Sequence, residues 1–411
     1  MSNLSILRNT SRRAGVLAAG ALALAACAPD DLAAPRSAPT PTAAVAAAAP
    51  AADGVGLLAT TPPRLAYAYS TQWEWWPTSW TPSPAYAYNS SGGAINFTRL
   101  SPGSYRVDFE GLSRPGITLS NPLGNGSETV IATAYSQDTP GVVCNALSWF
   151  SWGSVNRLTA RVDCVNSATN QFVDSRFNIL VVGDGALPAP SAFAFADKPT
   201  AAQYTPDPKW SYTSGPGALG VAHNPFVGGW DWRMGTGAPA GKIHLVNAHA
   251  NDVAPTKDLC KIAEYKSLGA SIRCFDNDGV PRDLKYQVLQ LSRGRVGKRF
   301  GFAWADQHTR RDTTAYAPHA SYAYNSSGGA VHVQRYRTGV YAVRFRGLQG
   351  GWYGPAANVQ VSSFGPTFTS CSVHSWYDET PPSQPGVLVW VQCADQNGQP
   401  ADSRFNVMVI E

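Results

Sequence analysis

The chain is short of charge: Asp, Glu, Lys and Arg make up 14% of its residues, and the net charge of +5 is spread thinly. No Lys/Arg run is dense enough to form the basic face that a nucleic acid needs, which excludes that class of partner. Histidine is scarcer still, with seven residues at 223, 244, 249, 308, 319, 332 and 374. Helical periodicity is rare beyond the N-terminus, and no nucleophile elbow, His-Glu-x-x-His pair or phosphate-cradling loop occurs. Plentiful instead are 38 Gly, 31 Pro, 13 Trp and 17 Tyr. Gly and Pro punctuate turns and aromatics fill pleated surfaces, so the composition calls for short strands.

The N-terminus is the most specific segment. Arg8, Arg12 and Arg13 precede an apolar run from Ala14 to Ala26, too short to span a bilayer as a helix, which takes about 20 apolar residues. The run ends in Leu24-Ala25-Ala26-Cys27. This resembles the lipobox of bacterial lipoproteins, which implies cleavage before Cys27, lipidation of that cysteine and a lipid anchor in the cell envelope, facing the periplasm or the exterior. Several acyl chains at about 0.8 kcal/mol per buried CH₂ make such anchoring effectively permanent. Ser11-Arg12-Arg13 is also similar to a twin-arginine export signal, with Gly15 and Val16 in place of the usual Phe-Leu. From Ala28 to Pro63 the chain is mostly Ala, Pro, Thr, Ser and Asp, without aromatics. This composition predicts a disordered stalk with a reach of roughly 30 Å as a coil and about 110 Å fully extended.

The rest of the chain repeats itself. Tyr86-Ala-Tyr-Asn-Ser-Ser-Gly-Gly-Ala94 returns at Tyr322–Ala330, Tyr105-Arg-Val-Asp-Phe-Glu-Gly-Leu112 at Tyr341–Leu348, and Asp174-Ser-Arg-Phe-Asn178 at Asp402–Asn406. A more diverged middle copy opens with Phe193-Ala-Phe-Ala-Asp197 and carries Gly228-Gly-Trp-Asp-Trp-Arg-Met234. The copies are placed at residues 64–183, 191–291 and 300–411, joined by two short linkers. Within each copy side chains alternate with a period of two: Tyr341, Val343 and Phe345 face one way, and Ala342, Arg344 and Arg346 the other. One wet and one buried face predict three tandem antiparallel β-sandwich domains of immunoglobulin-like or jelly-roll type. The strand Gly-x-Tyr-x-Val-x-Phe also resembles a signature strand of the complement globular-head jelly roll, over that strand alone.

Six cysteines remain beyond Cys27, two in each copy. Six allow 15 pairings, but equivalent placement in three copies selects Cys144–Cys164, Cys260–Cys274 and Cys371–Cys393. Disulfides imply an oxidising compartment, in keeping with the signal. Zinc is disfavoured because no Cys-x₂-Cys pair has partnering histidines.

Candidate chemistry is thin, and neither a cofactor nor a catalytic residue is expected. No histidine lies in the first copy, so no histidine-dependent reaction belongs to the repeat. His244 and His249 share one strand at an odd spacing, which points them to opposite faces. Asp276-Asn-Asp-Gly279 and Asp395-Gln-Asn-Gly398 look like calcium loops, but the spacing fails and a hairpin turn explains both. Asp174-Ser-Arg-Phe-Asn178 reads as a strand entry with a carboxylate–guanidinium pair.

The aromatic residues are the candidate ligand-binding set: Trp73, Trp75, Trp76 and Trp80 in the first copy, and Trp352-Tyr353 in a Gly-rich segment of the third. Exposed tryptophans stack on sugars or fill peptide pockets, whereas buried ones close the end of a sandwich. The expectation is a non-catalytic surface lipoprotein serving adhesion, envelope structure or ligand capture. Its partners would be the membrane, through its lipid, and a glycan or protein ligand. The alternatives are a carbohydrate-binding protein using the first-copy tryptophans, and a secreted enzyme or enzyme accessory.

Overall fold

In a computed structural model, the described residues are 63–71, 78–117, 126–137, 141–224, 229–233, 242–249, 258–294, 298–348, 357–379 and 385–411. Cys27, Trp73, Trp75, Trp76, Trp352 and Tyr353 lie outside them. The first lobe carries β1 (Leu65–Tyr69), β2 (Ser79–Trp80), β3 (Ala87–Asn89), β4 (Ile95–Ser101), β5 (Ser104–Glu110), β6 (Glu128–Tyr135), β7 (Val142–Trp152), β8 (Arg157–Asn166), β9 (Gln171–Phe172) and β10 (Arg176–Gly183). The second carries β11 (Ala192–Ala196), β12 (Gln203–Tyr204), β13 (Ser211–Thr213), β14 (Gly220–Asn224), β15 (Gly229–Arg233), β16 (Lys242–His249), β17 (Leu259–Lys266), β18 (Gly269–Phe275) and β19 (Lys285–Ser292). The third carries β20 (Phe300–Ala305), β21 (Ala323–Asn325), β22 (Val331–Arg337), β23 (Val340–Arg346), β24 (Asn358–Phe364), β25 (Thr369–Glu379), β26 (Gly386–Asp395) and β27 (Arg404–Ile410).

Each lobe is a two-sheet sandwich. In the first, an inner sheet runs β3-β1-β10-β6 and an outer sheet β2-β4-β5-β8-β7; the second lobe repeats both orders, and the third does too except that an isolated bridge, Tyr316–Val333, stands in for the outer edge strand. Two consecutive outer strands, one inner, two outer and one inner follow one another along the chain. This is the strand order of an immunoglobulin sandwich, except that the last strand is transposed to the front as β1, β11 and β20. Alternation drives the packing: Phe177, Ile179 and Val181 of β10 join the first lobe's own core, while Leu180 and Val182 point the other way.

That other way leads to a core shared by all three lobes. Leu180, Leu289 and Met408 occupy matching positions on the three inner sheets, as do Val182, Leu291 and Ile410, and all are buried in one cluster. At about 1.5–3 kcal/mol for each fully buried large side chain, this cluster outweighs any single polar contact between lobes. The first joining segment belongs to the same body: Ala186 sits in the shared core and the Pro190 carbonyl accepts from Ser292.

A cyclic set of hydrogen bonds closes the arrangement. Asn247 in the second lobe accepts from the Ala132 N–H of the first at 2.9 Å, and Ser362 in the third accepts from the Val246 N–H of the second at 2.8 Å. Thr133 in the first lobe accepts from the Val361 N–H of the third at 3.1 Å, which completes the ring. The three side chains stand opposite Gln287, Asn406 and Asn178 in their own sheets, so they are structural equivalents. Outer strands also reach across. β25 pairs in parallel with β6 at Val373–Tyr135, and β17 with β24 at Ile262–Phe364. Two sheets therefore run continuously through two lobes each. The three tandem sandwiches expected from the repeat close on one another as a ring of three.

The disulfides are Cys144–Cys164, Cys260–Cys274 and Cys371–Cys393, each within one lobe. Each joins directly opposed residues of an antiparallel pair, with Cα atoms 4.0–4.1 Å apart. In the first lobe the Cys164 backbone bonds away from its partner strand, to Gly103 and Val173. That marks a non-hydrogen-bonded site, where side chains stand closest. The first cysteines of all three bridges line one cavity of about 30 Å³ together with Asn247.

Candidate functional site

The repeated Asp-Ser-Arg-Phe-Asn segment builds a corner, and its guanidinium partner comes from another strand. Asp174 takes two hydrogen bonds from Arg99 on β4, at 2.9 and 2.6 Å, and one each from the Gly103 N–H and the Tyr105 hydroxyl. Burial pushes the Asp174 carboxyl up, but these donors together outweigh it and hold its pKa below the usual carboxylate value. Gly103 is required here: its φ is +69°, and a Cβ would meet the Cys164 carbonyl at 2.7 Å. Asp402, Arg335, Gly339 and Tyr341 reproduce the corner in the third lobe. In the second, His223 stands 3.3 Å from Asp283 and Trp230 takes the tyrosine's place. The serine of the motif supports the corner too, since the Ser175 N–H donates to the Tyr105 hydroxyl. Arg176, within the motif, lies instead over the Tyr135 ring at 4.6 Å.

The histidines occupy separate environments. His244 is fully buried, 3.0 Å from the Gln290 side-chain oxygen and edge-on to Trp232. Burial, with Lys242 nearby, lowers its pKa to about 3 and keeps it neutral. His249 lies in an aromatic seam against Phe195. Asp276 and Asp395 each accept two backbone N–H bonds within their own turns, which close on Gly279 and Gly398 at positive φ. Among the described residues no group of three or more His, Cys, Asp or Glu is placed to hold a metal ion. Trp80 is half-buried and stacks on Phe97, with ring centroids 5.4 Å apart and planes 9° from parallel.

The concentrated aromatic chemistry lies at the three seams between lobes, and it is equivalent in each. Tyr69, Phe195 and Trp304 stand opposite Asn178, Gln287 and Asn406 on the inner sheets. Trp149, Tyr265 and Trp376 each follow a first cysteine by five positions and cross to the neighbouring lobe. Tyr135, His249 and Phe364 end their inner strands, and Tyr86, Trp210 and Tyr322 immediately precede β3, β13 and β21.

One seam gathers Tyr69, Tyr86, Tyr135 and Trp376, with Tyr69 edge-on to Trp376 at 4.9 Å. A second gathers Trp149, Phe195, Trp210 and His249, with Arg114 over Trp210 at 4.2 Å. The third gathers Tyr265, Trp304, Tyr322 and Phe364, with Tyr265 and Tyr322 stacked at 4.7 Å.

The third seam opens into a cleft of about 470 Å³, lined by Tyr265, Trp304, Tyr322, Phe364, Arg273 and Arg404 among others. Its rim carries Glu264, which Lys266 engages at 2.6 Å. The Tyr265 hydroxyl donates inward to Asn406 at 2.7 Å, so this residue presents its ring and edge to the cleft. Burial raises its pKa well above the ordinary tyrosine value, which leaves it protonated. Arg404 lies over Phe364 with 5.2 Å to the ring centroid. None of these residues stood out as a ligand site in the linear sequence, although Tyr322 and Arg404 lie in repeated segments, because they come from two copies and from five strands and a turn. The available signal was the aromatic residue that follows each first cysteine by five positions.

Fold and seams together define a class: a single-chain ring of three permuted immunoglobulin-like sandwiches with aromatic seams. No family model, curated protein or solved structure matches the chain.

Proposed function

We propose that this protein is a non-catalytic, lipid-anchored binding protein of the cell envelope, held through Cys27 on the stalk and displaying the three-lobed ring for ligand capture. The observation that supports a binding role is the set of three equivalent aromatic seams held in one compact unit. Tandem modules on flexible linkers gain affinity through effective concentration. Here the ring sets the spacing of the seams instead, so any gain comes from pre-organisation.

The anchor is tested by metabolic labelling with a radioactive fatty acid in a bacterial host. Wild type should take up label and partition into the detergent phase, while Cys27→Ser should do neither and accumulate in the soluble extracytoplasmic fraction. An unlabelled wild-type protein recovered in that soluble fraction would remove the anchor from the proposal.

A further inference from the structure

We infer that the cleft between the second and third lobes binds an acidic saccharide, a pyranose unit bearing a carboxylate. The inference deepens the binding role proposed above by naming its ligand class.

Three features of the cleft carry it. The wall is aromatic and reachable: Tyr265, Trp304 and Tyr322 are each partly exposed and line one cleft, with Phe364 buried beside them. The negative faces of aromatic rings attract the C–H faces of a pyranose, which carry a slight positive charge. The charge of the lining is cationic, because Arg273 and Arg404 both face the cleft and its one carboxylate, Glu264, is engaged by Lys266. Guanidinium groups pair with carboxylates through parallel hydrogen bonds. The volume of about 470 Å³ lies in the range of roughly 300–1,000 Å³ usual for small-molecule sites.

The shape of the wall is fixed independently of any ligand. Tyr265 is held by Asn406, and the Arg273 guanidinium is held by the Pro366 carbonyl at 2.7 Å. Arg404 is oriented by its packing over Phe364. A wall set in this way loses little freedom on binding.

The test is isothermal titration calorimetry on the full ring, with trigalacturonate, neutral trigalactose and acetate as probes. Trigalacturonate should bind at least tenfold more tightly than trigalactose, and acetate should not bind measurably. Tyr322→Ala should weaken trigalacturonate at least tenfold. Arg404→Gln should erase the preference over trigalactose. Arg273→Gln serves as a second charge variant should Arg404→Gln fail to fold, as judged by near-UV circular dichroism. Trp152→Ala, at an exposed pair with Phe150 outside the cleft, should leave binding unchanged. Equal affinity for the two trisaccharides, binding insensitive to Tyr322→Ala, or no saccharide binding at all would each overturn the assignment. A labelled, membrane-bound protein without saccharide affinity would leave the anchored role standing and remove this ligand.

Discussion

Asn247 holds the main chain of Ala132 at two points, accepting its N–H at 2.9 Å and donating to its carbonyl at 3.0 Å, across the boundary between two lobes. The same amide oxygen takes the Ala146 N–H at 3.1 Å. Asn247→Leu keeps the approximate volume and orphans these buried groups. Each orphan costs roughly 1–3 kcal/mol, so urea melts should show a loss of about 3 kcal/mol or more. Trp152→Ala at the surface should fall within about 0.5 kcal/mol of wild type. A loss below about 1 kcal/mol for Asn247→Leu would mean that the cyclic bonds are incidental to closure.

Because the axial core draws on every lobe, the ring should unfold as one unit. Calorimetry of the full body should give a single transition. The isolated second lobe, residues 191–291, should fail to give a cooperative one. Its Ile243, Leu245, Leu289 and Leu291 belong to the core shared with the other two lobes. A sharp, reversible transition from that fragment would contradict the shared-core account.

Acid should destabilise the ring through His244. Its folded pKa is about 3 against an ordinary value of 6.5, so between those limits the unfolded chain binds a proton that the folded protein does not. Its contribution is complete above pH 6.5 and is lost as pH falls towards 3, at about 1.4 kcal/mol per pH unit. Glu411 works in the opposite sense. Burial raises its pKa to about 7 against the pull of Arg299, so its contribution is present below about 4.5 and lost as pH rises through about 7. The two offset each other between pH 4.5 and 6.5. His244→Gln should therefore flatten the acid limb below pH 4.5 and expose the Glu411 slope above it, read from denaturation midpoints across pH 3–8.

Tyr341 is the hinge of the third-lobe corner, donating to Asp402 at 2.9 Å and accepting the Ser403 N–H at 3.2 Å. Tyr341→Phe should cost about 1–2 kcal/mol. Asp402→Asn should cost a comparable amount by weakening Arg335 and the Gly339 contact. Made together, the two changes should cost less than their sum, because they remove one shared hydrogen bond. Full additivity in that cycle would show that the corner does not act as a unit.

Much of the architecture was legible in the linear chain. Period-two alternation in Tyr341–Arg346 marked a strand with one buried face, since a pleated strand sends successive side chains to opposite sides. Equivalent cysteines in three copies selected the disulfides, because a duplicated fold duplicates its cross-strand neighbours. Alternation says only that a face is buried, and not against what. Leu180, Leu289 and Met408 lie on the inner-sheet face turned away from each lobe's own core, and they meet in one shared cluster.

The ring itself was not readable. Its closing contacts join Thr133 to Val361, Asn247 to Ala132 and Ser362 to Val246, and nothing local in the chain predicts a long-range side-chain bond to a backbone amide. The aromatic seams were hidden for the same reason: four scattered rings become neighbours only when two lobes dock. By itself the sequence determined the repeat, the strands, the turns and the cysteine pairs, all of which depend on nearest-neighbour geometry. Only the tertiary structure decided that the three units close on one another, and that the seam between the second and third opens into a cleft. Those outcomes depend on how distant apolar faces find burial, and residue spacing along the chain does not encode that.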